Sequence, residues 1–197
     1  RCQACPVRQA LIFTTGYMVV MYGYGQMVDS PLTNLYAGIN VLLFVLFGLI
    51  HRWASFSVST IWGISLVGLG NMLGGVILVG SQPLYVAAFL GPVPFDKFFH
   101  AAAAFVLFFA AWEAMTRFAG DGPHHGGLVL MTFLVTMGGG AVVEIAELIG
   151  STVGGGRVNV GDYGSNALDL VSNAVGAAAG TFVLLLARCR RDSLSAH

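Results

Sequence analysis

The segment GLVLMTFLVTMGGGAVVEIAELIG, residues 127–150, decides the fold class of this chain. It carries no charged side chain before Glu144, and it exceeds the roughly 20 mostly apolar residues that a helix needs to cross a bilayer. Because lipid offers no hydrogen-bond partners, a single segment satisfies its backbone there only as an α-helix. The segment therefore predicts a transmembrane helix.

Five further segments of the same kind fill most of the chain. Of its 197 residues, 56% are hydrophobic and only 9% are charged, whereas a soluble domain has about 25% charged residues. We therefore predict an all-α fold, a polytopic transmembrane helical bundle that forms a single domain over residues 1–197. The six predicted spans are residues 9–28, 32–50, 58–80, 96–118, 127–150 and 167–187.

The first half of the chain holds three features that qualify this prediction. Its first apolar segment is too long for the core of a signal peptide, so we expect it to be retained as a span. Residues 84–90 are apolar but too short to cross, and Pro92 and Pro94 follow, so we predict a re-entrant or interfacial piece. Cys2 and Cys5 form a Cys-x-x-Cys pair, which is either two free thiols or half of a metal or redox site.

The basic residues predict the orientation of the spans, because cytoplasmic segments of membrane proteins are enriched in Lys and Arg. With both termini in the cytoplasm, the inner segments hold seven of the nine basic residues: Arg1, Arg8, Arg52, Arg117, Arg188, Arg190 and Arg191. The outer segments hold the other two, Lys97 and Arg157. We therefore predict cytoplasmic termini in a cell membrane. A net charge of zero and the absence of a basic tract argue against a nucleic-acid partner.

Four ionisable side chains inside predicted spans are the candidate site residues. They are His100 in the fourth span, Glu144 and Glu147 in the fifth, and Asp169 in the sixth. Such groups are costly in lipid and usually face a partner or a water-filled cavity. Glu144 and Glu147 are three residues apart and share a helix face, and Asp96 lies one turn before His100. We predict that the four in-span residues are the catalytic or metal-binding part of one site.

The sixth span carries a polar stripe that becomes a glycine stripe. If its helix begins near residue 162, a stripe about 60° wide holds Asp162, Asn166, Asp169, Asn173, Gly176 and Gly180. Small residues let the backbones of two helices approach closely. We therefore predict that this face packs on another helix and that its polar part faces the site.

The predicted topology puts the polar groups of three spans at one depth. His100 is near the outer end of the fourth span, Glu144 and Glu147 are near the outer end of the fifth, and Asp169 is near the outer end of the sixth. Groups that three separate spans bring to one depth are expected to meet. The sequence therefore predicts one polar pocket that opens to the exoplasmic side.

The loop of residues 151–165 is predicted to cap this pocket. It contains Gly154, Gly155 and Gly156, which permit close approach of the backbone to a ligand, followed by Arg157. The guanidinium of Arg157 either binds a phosphate or carboxylate of the substrate or pairs with a carboxylate of the chain itself. The predicted substrate-binding residues are Arg157, Asp162, Asn166 and Asn173.

The second half of the chain resembles a known family. The resemblance is carried by DKFFH at 96–100, EIAE at 144–147, Arg157, and DLVSNAVGAAAG at 169–180. These residues look like those of the VanZ-like membrane proteins, and the related YjdF-like inner-membrane proteins share the layout. Glu147 departs from the pattern, because the family often has Gln there. The resemblance implies a bacterial inner-membrane protein of the cell envelope, loosely associated with glycopeptide resistance in its namesake.

Three functions fit these residues. In an enzyme, His100, Glu144, Glu147 and Asp169 bind a divalent metal (Mg²⁺, Mn²⁺ or Zn²⁺) or share acid–base chemistry on a lipid-linked or envelope substrate. The alternatives are a transporter or binding protein for a small ligand or ion, and a structural membrane protein with a buried polar network. The expected partners are the lipid bilayer and a lipid-linked or small-molecule ligand that arrives from the outer side. The oligomeric state stays open.

The topology is testable with reporter fusions in each loop. We expect a reporter in residues 119–126 to be cytoplasmic and a reporter in residues 151–165 to be external, because the basic residues favour the cytoplasmic side. An external signal from residues 119–126 would overturn both the orientation and the common depth of the polar groups.

Overall fold

Six α-helices form most of the described part of the chain. The computed structural model describes the backbone of residues 4–120, 125–153 and 163–195. Within these ranges the helices are α1 (Ala4–Met27), α2 (Thr33–Ala54), α3 (Val58–Val76), α4 (Phe95–Ala119), α5 (His125–Val153) and α6 (Tyr163–Ser195). Each predicted span centres on one of them, which confirms the predicted all-α helical architecture.

Five of the six helices in these ranges, α2 to α6, are long and apolar enough to cross a membrane. The helix α1 is 24 residues long, but tyrosines, threonines and glycines interrupt its apolar positions. The chain is therefore a polytopic helical protein, as predicted. The remaining span, at residues 9–28, and the cytoplasmic location of the termini stay predictions.

The chain divides into two compact units, Arg1–Phe99 and His100–His197. Each unit has its own helix packing and is described separately below. The boundary falls inside α4, one turn after the helix begins. The single domain over residues 1–197 stays a prediction.

In the first unit, α1 and α3 pack together through a buried apolar core. The core consists of Tyr17, Met21, Met72 and Val76. Beside it, the hydroxyls of Thr14 and Ser65 are 2.5 Å apart and share a buried hydrogen bond between the same two helices. Polar pairs of this kind join helices inside lipid, where an unpaired hydroxyl has no water to bind.

Two short antiparallel hairpins and a turn of 3-10 helix connect α3 to α4. In order these are β1 (Leu78–Val79) paired with β2 (Gln82–Pro83), the 3-10 helix Leu84–Val86, and β3 (Ala88–Leu90) paired with β4 (Val93–Pro94). Gly80 and Gly91 have φ of 65° and 59° in the two turns, a conformation that glycine adopts without steric cost. Residues 84–90 thus form no spanning helix, in agreement with the predicted short re-entrant or interfacial piece.

Tyr85 holds this connection on the first unit. Its hydroxyl donates a hydrogen bond of 2.8 Å to Oδ1 of Asn71. Its ring centroid lies 5.4 Å from that of Tyr36 and 5.5 Å from that of Phe99. The ring also covers Gly74, where a Cβ atom would stand 2.5 Å from the Tyr85 ring. A glycine on α3 therefore makes room for the tyrosine, and an asparagine one turn earlier binds it.

In the second unit, α6 runs past the predicted end of the sixth span at residue 187. The guanidinium carbon of Arg188 lies 4.6 Å from the ring centroid of Trp112 on α4. This cation–π contact joins the ends of the two helices, and arginine favours a helix by its intrinsic propensity. Both effects extend α6 to Ser195.

Large apolar side chains cover the outward faces of the helices. Leu42, Val142 and Phe182 are between 63% and 65% exposed. Soluble proteins rarely expose contiguous apolar surface on this scale, whereas lipid tails solvate it well. The exposed surface agrees with a position inside a bilayer.

Replacing Tyr85 with phenylalanine tests the hydrogen bond to Asn71. We expect Tyr85→Phe to lower the free energy of unfolding by about 1–3 kcal/mol, because it leaves a buried amide oxygen without its donor. Tyr24→Phe is the matched control, since Tyr24 is 40% exposed, and it should change stability by less than about 0.5 kcal/mol. Denaturation in detergent measures both. Equal stabilities of the two variants would contradict the role given to Tyr85.

Candidate functional site

His100 lies between two carboxylates in the second unit. It occupies the second turn of α4 and is 5% exposed, while Glu144 on α5 is 9% exposed and Asp169 on α6 is 4% exposed. Nδ1 of His100 is 3.5 Å from Oε1 of Glu144, and Nε2 is 3.8 Å from Oδ1 of Asp169. Three helices thus each contribute one ionisable group to a single buried cluster, with one carboxylate facing each ring nitrogen.

Both distances are longer than an ordinary N–H···O hydrogen bond, which spans about 2.7–3.2 Å. They are short enough for strong electrostatic interaction, because water is excluded from these buried groups and screens them little. Two carboxylates in such surroundings are stabilised when one of them is protonated or when a positive charge lies beside them, such as a protonated imidazole or a bound cation. The cluster is therefore suited to hold a proton or a metal ion.

Two more acidic residues lie one turn away from the cluster along its helices. Asp96 precedes His100 on α4, with ligand atoms of the two side chains within 4.8 Å of each other. Asp96 also accepts a hydrogen bond of 3.1 Å from Nζ of Lys97. Glu147 follows Glu144 on α5 and is partly buried.

Two asparagines flank Asp169 on the same face of α6. Asn166 lies three residues before it and Asn173 four residues after it, with Asn173 only 2% exposed. Among the described residues, Oδ1 of Asn166 and Nδ2 of Asn173 are buried and have no hydrogen-bond partner. Buried amides are normally satisfied, so this acceptor and this donor are available to a ligand or to water.

Glycines let the three helices approach closely enough to form the cluster. A Cβ atom at Gly176 of α6 would overlap the carbonyl oxygen of Ala101 on α4. One at Gly140 of α5 would stand 2.6 Å from Nδ2 of Asn173. The predicted packing of the glycine stripe on another helix is therefore confirmed, and the partner of Gly176 is α4. Backbone contact at Gly176 brings α6 close enough to α4 for Asp169 to reach His100.

A comparison with protein families matches nearly the whole chain. The family model described as "Predicted membrane protein (DUF2238)" covers residues 9–191. The chain belongs to this family. No curated protein and no solved structure matches the chain. The family supports a multi-pass membrane protein, while the likeness to the VanZ-like and YjdF-like proteins stays a resemblance of the second half.

The structure brings together three of the four residues predicted as catalytic or metal-binding in this DUF2238 member: His100, Glu144 and Asp169. Glu147 lies on the next turn of α5. Asn166 and Asn173 extend the polar face of α6, as predicted. Arg157 and Asp162, predicted to bind substrate, lie outside the described residues, as does Cys2. The opening of the pocket to the exoplasmic side stays a prediction.

Asp96 is the residue that the predicted metal-binding set omitted. Its signal in the sequence was the four-residue spacing to His100, which puts both side chains on one side of a helix. In the structure Asp96 belongs to the first turn of α4.

Replacing Gly176 tests the close contact that positions Asp169. We expect Gly176→Ala to destabilise the protein by about 1–3 kcal/mol, because the added methyl group overpacks a backbone contact. Gly138→Ala is the matched control, since no atom lies within 4 Å of a Cβ at Gly138. That control should be neutral or more stable by about 0.5–1 kcal/mol, the usual gain from alanine in a helix. Thermal unfolding in detergent measures both, and equal stabilities would mean that α6 does not depend on this contact.

Proposed function

We propose that this protein is a membrane enzyme of the bacterial cell envelope that uses a divalent cation bound by His100 and Asp169. The substrate class is a lipid-linked or other envelope molecule that reaches the site from the exoplasmic side. The observation that carries the proposal is the imidazole of His100 held between two buried carboxylates from two other helices. The resemblance of the second half to the VanZ-like proteins agrees with an envelope substrate.

The distance between His100 and Asp169 fits a shared metal ion. Two ligands about 2.1 Å from a zinc ion and at a tetrahedral angle are about 3.4 Å apart. Nε2 of His100 and Oδ1 of Asp169 are 3.8 Å apart, so a shift of a few tenths of an ångström brings them to that spacing. Asp96, one turn before His100, is the third candidate ligand.

The role that we propose for Glu144 is to orient the imidazole of His100, whereas the sequence predicted a catalytic or metal-binding residue. Nδ1 and Nε2 of one imidazole point in opposite directions, so a single ion cannot bind both nitrogens. With the ion at Nε2, Glu144 faces Nδ1 and accepts its proton in a hydrogen bond. A carboxylate in that position fixes the ring orientation and makes the imidazole a better ligand.

The donor set favours Zn²⁺ or Mn²⁺ over Mg²⁺. One imidazole and one or two carboxylates suit zinc and manganese, whereas magnesium prefers oxygen ligands alone. Such an ion would activate a bound water molecule for attack on a substrate. Glu147, one turn beyond Glu144 on α5, is then the candidate general base. The amides of Asn166 and Asn173 supply an acceptor and a donor for the substrate.

A second function is favoured by the same geometry in another protonation state. A carboxylate, an imidazole and a second carboxylate in series form a proton relay when no metal is present, and such chains serve pumps and transporters. In that case the protein is a proton or cation transporter. In a third possibility the cluster is a structural network that only joins α4, α5 and α6.

Metal-dependent stability separates these functions. Thermal unfolding of purified protein should be measured with and without Zn²⁺ or Mn²⁺. At a metal concentration 100 times the Kd, we expect the wild type to gain about 2.7 kcal/mol. His100→Ala and Asp169→Asn should lose this gain because each removes a ligand. Glu144→Gln should keep a reduced gain, since ligand orientation typically changes metal affinity by about 10–100-fold.

Glu113→Gln is the internal control, because Glu113 lies on the same helix as His100 but thirteen residues away. It should show the full metal response. Loss of stability in every cluster variant without any metal effect would favour the structural network. Proton uptake by liposomes containing the wild type, abolished by His100→Ala in metal-free buffer, would favour the transporter. Either result would contradict the metal-dependent enzyme.

A further inference from the structure

The first unit contains a cavity lined by both polar and apolar residues. A cavity of about 430 Å³ lies where the start of α1, the end of α2 and the start of α3 meet. Its lining residues are Val7, Arg8, Leu11, His51, Ser55, Phe56 and Val58. The volume falls within the range of about 300–1,000 Å³ that is usual for small-molecule sites.

Two nitrogen-bearing side chains, Arg8 and His51, are the groups in this cavity that can bind a polar ligand. Arg8 supplies a guanidinium, whose planar donors match the oxygens of a phosphate group. Nδ1 of His51 is buried and has no hydrogen-bond partner among the described residues. The His51 ring is held against Phe56, with ring centroids 5.8 Å apart. Buried polar atoms normally have a hydrogen-bond partner, so this nitrogen is available to water or to a ligand.

The start of α3 adds partial positive charge at the same place. Ser57 caps this helix by accepting a hydrogen bond of 3.3 Å from the backbone N–H of Thr60. Other backbone N–H groups of the first turn have no partner within the helix, and the helix dipole favours an anion near them. The end of α2 adds partial negative charge here, but Arg8 carries a full positive charge and the described residues that line the cavity include no acidic one. The electrostatics of the cavity therefore favour an anion.

We propose that this cavity binds a phosphate group, and that its source is the headgroup of an anionic phospholipid. The apolar lining from Val7, Leu11, Phe56 and Val58 adjoins the two nitrogen-bearing side chains. This arrangement matches the boundary between a lipid phosphate and its acyl chains. The cavity also lies at helix ends on the predicted cytoplasmic side, where anionic lipids attract basic residues. A free phosphate ion would make the same contacts with Arg8 and His51, but it has no apolar part to contact the apolar lining residues.

Thermal unfolding of the full-length protein in a non-ionic detergent tests this site. The probes are dioleoyl phosphatidylglycerol and inorganic phosphate, each titrated separately. We expect phosphatidylglycerol to raise the Tm of the wild type. Arg8→Gln should weaken its apparent affinity at least about tenfold, because a charge-assisted hydrogen bond is lost. His51→Phe, which keeps a ring against Phe56 and removes both nitrogens, should also weaken it.

Arg52→Gln is the matched control, since it removes the same charge beside His51 from a residue that does not line the cavity. It should respond like the wild type. If inorganic phosphate raises Tm with the same dependence on Arg8, the site binds phosphate but its source is the free ion. If phosphatidylglycerol stabilises Arg8→Gln and His51→Phe as much as the wild type, or stabilises none of the proteins, the proposed site is wrong. The Tm of each variant without lipid shows whether it is folded.

Discussion

Lipid cannot supply hydrogen bonds, and this constraint shapes every level of the described structure. Backbone groups are satisfied within helices, so apolar segments of sufficient length become α2 to α6. Polar side chains must find partners inside the protein, as the hydroxyls of Thr14 and Ser65 do. Large apolar side chains face outward instead of forming one large core. Polar groups consequently mark the places where helices meet.

Glycines let helix backbones approach closely, and these contacts fix the distances between the helices. Without a hydrophobic force between helices in lipid, association depends on packing and on polar contacts. Gly176 lets α6 touch the backbone of α4, and Gly140 leaves space for the amide of Asn173. The contact at Gly176 brings Asp169 within reach of His100. The glycine stripe of α6 thus positions the ionisable residues of the cluster, because it sets the distance between α6 and α4.

The site in the second unit favours a positively charged ligand, whereas the cavity in the first unit favours a negatively charged one. In the second unit, Glu144 and Asp169 flank one imidazole, and the excess of negative charge favours a proton or a cation. In the first unit, Arg8 and His51 line a cavity whose described lining residues include no acidic one, which favours an anion. A cation site inside the spans suits chemistry or conduction, whereas an anion site at helix ends suits attachment to lipid headgroups.

The sequence alone determined the helical class, the approximate spans and most of the cluster residues, because hydropathy and the cost of charges in lipid are local properties. The periodicity of α6 also identified the face that carries Asp169 and Gly176. Only the tertiary structure decided that Glu144 lies 3.5 Å from His100, since spacing along one helix does not give the distance to a side chain on another. The cavity beside His51 was equally invisible, because it depends on how the ends of three helices pack. Packing joins residues distant in sequence, and no local pattern encodes such distances.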